Sequence, residues 1–259
     1  MSQVPKVGIM KDIIAVILAA GKGTRMGNTD WPKVMFKANN KPIVECLVQS
    51  IQAAGVNDIV LVVGYLQEQV RKHFKDRVQY VEQREQKGTG HAVMMAKDLL
   101  KGKSKAVLVS YGDMPLYKIE TIKKLIEKFN SPAGGEKPVI AMVTVDLADP
   151  DFWAYGRVLR DKNREIVATV EQKDATEEQR KIKECNPSFY LFDSDWLWDN
   201  LSRIGTNNVQ KEYYLPDLIS IAASQGKKIV SIKAESEDEV LGVNTPEQLE
   251  KVAKILKKR

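Results

Sequence analysis

Three short clusters in this chain carry residue types that suit a nucleotide and its phosphates. In Leu18-Ala19-Ala20-Gly21-Lys22-Gly23-Thr24-Arg25-Met26, with Pro32-Lys33 shortly after, glycines and cations are interleaved. Glycines let the backbone approach a bulky ligand and turn free N–H groups towards an anion. The Arg25 guanidinium and the Lys33 ammonium add charge that matches phosphate. The second cluster is Gln83 with Gly88-Thr89-Gly90-His91-Ala92. Glycines at a helix N-terminus open a place for an anion or a polar base edge, and a side-chain amide offers a pyrimidine both a donor and an acceptor. The same glycines also read as a flexible turn. The third cluster is Tyr111-Gly112-Asp113-Met114-Pro115-Leu116. Asp113 there is either a helix cap or a metal ligand, and magnesium at a nucleotide takes one or two protein carboxylates.

Other phosphate loops fit less well. The spacing Gly-x-x-x-x-Gly-Lys-[Ser/Thr] of a P-loop does not occur. The dinucleotide fingerprint Gly-x-Gly-x-x-Gly is half met by Gly21 and Gly23, but Met26 holds the third position. Pro32 then delays the next helix, and the second strand runs into Gly64-Tyr65 rather than an acidic residue.

The elements that must position these clusters alternate. Val-, Ile- and Leu-rich runs predict strands at 13–18, 58–63, 78–81, 106–110 and 139–145. Helical periods lie between them at 43–54, 66–74, 90–100 and 118–129, the first ending at Gly55 as its C-cap. Such alternation predicts an α/β domain, a largely parallel sheet with helices on both faces. Beyond a loop at 146–156, strands are expected at 157–160 and 165–170, joined by a hairpin turn at Asp161-Lys162-Asn163-Arg164, and at 188–192 and 228–233. A last helix opens at Thr245-Pro246-Glu247-Gln248, with Thr245 as cap, Pro246 at the first helical position and Gln248 completing a capping box. One domain is expected over 1–259, with 1–145 as its nucleotide-binding part and 146–259 as a sugar-side part and C-terminal helix.

Composition narrows the classes. Of 259 residues, 43% are hydrophobic, enough for a sizeable core. The apolar runs fall far short of the roughly 20 residues a membrane span needs. Residues 1–11, with Lys6 and Lys11, read as a loose lead-in without a signal-peptide core. Cys46 and Cys185 have no metal spacing and read as buried thiols of a reducing cytosol. His73 and His91 are too few for a zinc site unless carboxylates dominate it. The net charge of +6 reads as scattered lysines, some at Lys257-Lys258-Arg259, because no basic run is interleaved with aromatics as a nucleic-acid surface requires.

Together the clusters resemble the pyrophosphorylase domain of the bifunctional N-acetylglucosamine-1-phosphate uridylyltransferases, over nearly the whole chain. The resemblance is carried on by Tyr155-Gly156-Arg157, Val170-Glu171-Gln172-Lys173-Asp174-Ala175-Thr176, Asn186, Asn207-Asn208-Val209-Gln210-Lys211-Glu212-Tyr213-Tyr214 and Glu239-Val240-Leu241-Gly242-Val243-Asn244. It implies a three-layer αβα Rossmann-like nucleotidyltransferase fold with a mostly parallel mixed sheet. It implies magnesium-dependent formation of a UDP-sugar and pyrophosphate from UTP and a sugar 1-phosphate, in the cytoplasm. Carried over by position, Ala20, Gly21, Gly23, Gln83, Gly88 and Thr89 would hold the nucleotide. Tyr111, Gly156, Glu171 and Asn186 would hold the sugar phosphate, Asp113 and Asn244 the magnesium, and Arg25 and Lys33 the phosphate charge.

The chain departs from that pattern. The family's Asn-Thr-Gly reads Asn186-Pro187-Ser188, Pro216 stands where those relatives usually carry Thr, and Phe152-Trp153 enlarge the loop before Tyr155. These changes fall on the expected sugar side. They leave open another sugar 1-phosphate or another pyrimidine nucleotide, and a UDP-sugar-binding regulator without turnover. The left-handed β-helix that carries acetyl transfer in that family is missing, so acetyl transfer is expected to be absent, and a monomer or homodimer is expected. No membrane or nucleic-acid partner is expected.

Overall fold

The structure is a computed structural model and describes residues 12–27, 30–131 and 135–258. The expectations for residues 1–11, and those resting on Arg259, lie outside the described residues.

The first half of the chain forms β1 (Ile13–Ala19), a small hairpin of β2 (Lys37–Ala38) and β3 (Lys41–Pro42), α1 (Ile43–Ala53), β4 (Asp58–Val63), α2 (Gln67–Phe74), β5 (Gln79–Glu82), α3 (Thr89–Met94), α4 (Lys97–Leu100), β6 (Ala106–Tyr111), α5 (Ile119–Asn130) and β7 (Ile140–Asp146). The second half forms α6 (Pro150–Trp153), β8 (Gly156–Arg160), β9 (Ile166–Val170), α7 (Glu177–Arg180), β10 (Glu184–Asn186), β11 (Phe189–Asp193), α8 (Ser194–Asn200), α9 (Asp217–Ser224), β12 (Ile229–Lys233) and α10 (Pro246–Lys258).

The main sheet runs β5-β4-β1-β6-β11-β7-β10-β8-β9, with β12 on the other side of β7. Strands β5, β4, β1 and β6 are mutually parallel. β11 runs antiparallel between β6 and β7, and β8, β9 and β10 are antiparallel to their neighbours. The expectation of a largely parallel sheet therefore holds for β5, β4, β1 and β6, and the sheet as a whole is mixed.

β1 shows why its sequence is apolar throughout. Ile13, Ala15, Ile17 and Ala19 face one core, shared with Val44, Leu47 and Ile51 of α1, Ile122 and Leu125 of α5 and Val252 of α10. Ile14 and Val16 face the opposite core, shared with Ala92 and Val93 of α3, Leu197 and Trp198 of α8 and Leu218 and Ile219 of α9. A strand covered on both faces cannot alternate polar and apolar residues. Each fully buried Ile or Val in it is worth about 1.5–3 kcal/mol.

Local signals act as expected at several ends. α1 is closed by Gly55 N–H donating to Gln52 and Val56 N–H donating to Ile51, a Schellman pattern. The β8–β9 turn is fixed by Asp161 Oδ1, which accepts from the N–H groups of Asn163 and Glu165. Three expectations are corrected. The predicted helix at 90–100 is broken after Met94 into two short pieces. The predicted loop at 146–156 contains α6, because Asp149 caps the Phe152 N–H and Pro150 suits the first helical position. Gln248 does receive its N–H cap from Thr245, but its Oε1 accepts from Asn244 N–H at 2.8 Å, so no reciprocal capping box forms with Thr245. That amide anchors Asn244 instead. Of the two thiols, Cys185 is buried and Cys46 only half-buried.

Candidate active site

The chain leaves β1 for β4 and β5 on one side, then returns to β6 on the other, so the strand order reverses between β1 and β6. In open α/β sheets the crevice beyond such a reversal receives the ligand. The glycine loop at 20–27 follows β1 and the Gly112–Leu116 turn follows β6, so both open on that crevice. Gly112 N–H donates to the Leu18 carbonyl at 2.8 Å, which locks the two exits together.

A cavity of about 250 Å³ lies there, lined by Ala20, Gly21, Lys33, Gln83, Gly88, Thr89, Tyr111 and Asp113 among others. Eight of the expected residues thus share one wall. Gly23 is not among the residues lining it. Its φ is +65°, and a Cβ there would stand 2.6 Å from Lys33 Cβ, so this glycine clears the path of Lys33. The backbone N–H groups of Gly21 and Lys22 have no acceptor among the described residues.

At one end of the cavity Lys33 Nζ donates to Asp113 Oδ2 and, at 2.8 Å, to Asn244 Oδ1. Arg25 donates to the same Asn244 oxygen at 3.1 Å. Asp113 Oδ1 is buried and has no hydrogen-bond partner among the described residues. Four residues spread over more than two hundred positions therefore converge. Their loops are tied by the backbone, with Val243 N–H donating to the Asp113 carbonyl at 2.9 Å. The Tyr155 hydroxyl donates to the Val240 carbonyl at 2.6 Å and accepts from Gly242 N–H at 2.8 Å. The Tyr155 role was not visible in the sequence, where that residue only marked a motif.

The second cluster is more closed than its glycines suggested. Gly90 N–H donates to the Tyr213 carbonyl, so it is not free for an anion. Gly88 has φ +105°, and a Cβ there would meet Tyr213 O at 2.6 Å. Thr89 Oγ1 accepts from Leu215 N–H. Gly88→Ala is expected to lower stability by about 2 kcal/mol or more, the sum of left-handed strain and a backbone clash. A thermal melt within a degree of the parent would contradict that packing.

The residues expected on the sugar side meet the cavity through Tyr111, whose hydroxyl lies beside Thr89, Ser188 and Glu171, with a pKa raised by burial. Glu171 is pushed up to about 7 by burial, with the Asp174 and Asp217 carboxylates adding to it. Gly156 lies against it, since a Cβ there would stand 3.4 Å from Glu171 Oε1. Asn186 is buried away from the cavity wall, its Nδ2 donating to Tyr190 Oη at 2.6 Å and its Oδ1 accepting from Ser188 N–H at 3.1 Å. Ser188 adopts φ +61°, the left-handed conformation that a glycine takes without strain. Its side chain lies beside the hydroxyls of Tyr111 and Tyr190. Trp153 is a core residue and only Phe152 is exposed, so the enlarged loop packs onto α10, where Lys251 lies over both rings. Among the described residues no group of three or more His, Cys, Asp or Glu could hold a metal by itself.

Residues 15–182 match the family model described as the MobA-like NTP transferase domain. The chain is similar to the bifunctional protein GlmU of Streptococcus agalactiae serotype V, 42% identical over 245 residues, covering 95% of this chain and 52% of that protein. The GlmU protein of Acetivibrio thermocellus is 40% identical over 250 residues, covering 96% of this chain and 53% of that protein. The chain thus spans about half the length of the curated relatives it matches. A crystal structure of UDP-glucose pyrophosphorylase complexed with UDP-glucose superposes with a TM-score of 0.73 at 19% identity, covering 95% of this chain and 98% of that one, which shows a shared fold. The chain belongs to the MobA-like NTP transferase domain family.

Proposed function

We propose that this domain transfers the uridylyl group of UTP to a sugar 1-phosphate, N-acetylglucosamine 1-phosphate foremost, with release of pyrophosphate. The observation that carries this is the convergence of Arg25, Lys33, Asp113 and Asn244 at the mouth of the cavity walled by Gln83, Gly88 and Thr89. A sugar-phosphate oxygen attacks the α-phosphorus in line and pyrophosphate leaves. The nucleophile is already ionised near neutral pH, so catalysis is positioning and charge stabilisation. Lys33 and Arg25 stabilise the charge that develops towards pyrophosphate, and Gln83, Gly88 and Thr89 hold the nucleotide in place. The likeness to the GlmU proteins supports the UDP-sugar assignment. On this reading 1–145 grips the nucleotide and 146–259 the sugar.

The donor set fits magnesium. Asp113 offers a buried carboxylate oxygen with no partner among the described residues and Asn244 an amide oxygen, the hard ligands this ion takes alongside phosphate and water. Bound there, the ion supplies charge neutralisation and orientation of the phosphates.

A second reading keeps the chemistry and changes the sugar. It is favoured by Asn186, whose amide is already held by Tyr190 and Ser188 where the resemblance places a sugar contact. Pyrophosphate release across a grid of nucleoside triphosphates and sugar 1-phosphates decides between them. UTP with N-acetylglucosamine 1-phosphate is expected to give the highest kcat/KM. A different sugar phosphate preferred with UTP establishes the second reading, and no turnover with any pair refutes both.

A further inference from the structure

Gln83 is 3% exposed and lines the cavity, so the direction of its amide decides what that wall offers a base. Its Nε2 lies 3.0 Å from the Gly88 carbonyl and 3.0 Å from His91 Nδ1. A carbonyl only accepts, so the amide atom facing Gly88 is the NH2 group, which settles the amide orientation. The second hydrogen of that NH2 points at His91 Nδ1, which must then be unprotonated. The neutral ring then carries its proton on Nε2. With both amide hydrogens committed, Oε1 is the polar atom that Gln83 has left for the cavity.

Resting on the reading of the cavity as a nucleotide site, we propose that His91 is a positioning residue for base selection. Its bare Nδ1 takes one hydrogen of the Gln83 amide while the Gly88 carbonyl takes the other, which locks the Gln83 carbonyl oxygen towards the base. An acceptor held there favours a ring whose edge presents an N–H, such as the imide of uracil, and opposes the bare ring nitrogen of cytosine. Were the His91 ring turned or replaced, the amide could rotate and offer its NH2 group to the cavity, inverting the preference. The ring is itself held in place by stacking on Tyr213, with centroids 6.3 Å apart and planes at 29°. Burial and then the Lys87 ammonium lower the His91 pKa, which favours the neutral ring that can accept through Nδ1.

The test compares kcat/KM for UTP and CTP in the parent, His91→Leu, His91→Asn and Gln83→Leu, with thermal melts to confirm folding. His91→Leu is expected to raise KM for UTP and to lower the UTP-to-CTP ratio about tenfold, the scale of one hydrogen bond to a base edge. His91→Asn is expected to recover most of that ratio, because its Oδ1 can accept the same amide hydrogen. A parent-like ratio in His91→Leu, alongside a lost ratio in Gln83→Leu, overturns the role of His91 and leaves the nucleotide site standing. An unchanged KM for UTP in Gln83→Leu removes the site reading, and the proposal with it. Independently of any variant, the 15N shifts of His91 in the parent protein are expected to show Nδ1 unprotonated and Nε2 protonated. The opposite tautomer overturns the proposal.

Discussion

Asp113→Ala and Lys33→Ala are each expected to lower turnover about 10²–10³-fold, roughly 3–4 kcal/mol of transition-state stabilisation, while the fold stays intact. The size follows from where these groups stand. Asp113 is 8% exposed, and its Oδ1 has no partner among the described residues although the other oxygen is held by Lys33. A carboxylate left that way costs free energy in the resting protein unless the site's ligands engage it. Removing it takes away a charge from a low-dielectric crevice, where charge interactions are stronger than in water.

The fold is expected to survive because the Asp113 turn is held by its backbone. Its carbonyl accepts from Val243 N–H and the preceding amide, Gly112 N–H, donates to Leu18. Neither bond needs the side chain. For Lys33 the prediction has a second leg. Its ammonium bridges Asp113 and Asn244, so Lys33→Ala also leaves those two oxygens without their shared cation. KM for the nucleotide should therefore rise in Lys33→Ala as well as kcat falling. Steady-state pyrophosphate release, read beside melting temperatures, checks both variants. Turnover within a few-fold of the parent in a folded Asp113→Ala protein would remove Asp113 from the catalytic set.

The glycine loop and the Asp113 turn were legible because each is contiguous and sits at the end of a strand with a plain signal. β1, β4 and β6 are continuous apolar runs, and the loops that follow them carry Gly21, Gly64 and Asp113. Once those strands lie parallel, their loops share one end of the sheet. The resemblance located Asn244 on the opposite side of the chain, but only the structure shows why it arrives there: Tyr155, Gln248 and the Asp113 carbonyl all fasten its loop.

Other elements gave no local signal. β10 is three residues long, and its pairing with β7 and β8 is decided by tertiary context. α9 has Leu218, Ile219 and Ala222 buried within eight residues and follows Pro216 directly, so its period is too short to read. The helix predicted at 90–100 breaks because Ala96 N–H bonds to Val93 and the chain re-enters helix only at Lys97. The roles of Gly23 and Gly90 were likewise not local. Each is set by a neighbour distant in sequence, Lys33 in one case and Tyr213 in the other.

Glu45 is the largest effect that the sequence concealed. It interrupts the apolar stripe of α1 and is 5% exposed. Its partners lie 28 and 32 residues away, around the end of α2: His73 Nε2 at 2.7 Å from Oε2, and Arg77, which donates to both carboxylate oxygens at 3.0 and 2.8 Å. Gln49 adds a fourth bond at 2.9 Å. Burial pushes this carboxyl up, but the Arg77 and His73 hydrogen bonds and the Arg77 charge outweigh it and hold the pKa at about 2, against an ordinary 4.5. At about 1.4 kcal/mol per pKa unit, a shift of that size is worth about 3 kcal/mol of folding free energy. The folded-state pKa is depressed, so the contribution is complete above about pH 4.5 and is lost as pH falls through about 2. Glu45→Gln is therefore expected to be about 3 kcal/mol less stable than the parent near neutral pH, in line with breaking a buried ion pair. It has no carboxyl there to titrate, so the gap between the two proteins should narrow steadily as pH falls below about 4.5. Urea unfolding of both proteins at a series of pH values measures it. Two stability curves that stay parallel through the acid range would mean that Glu45 contributes by packing alone, and that the charge joining α1 to α2 is worth little.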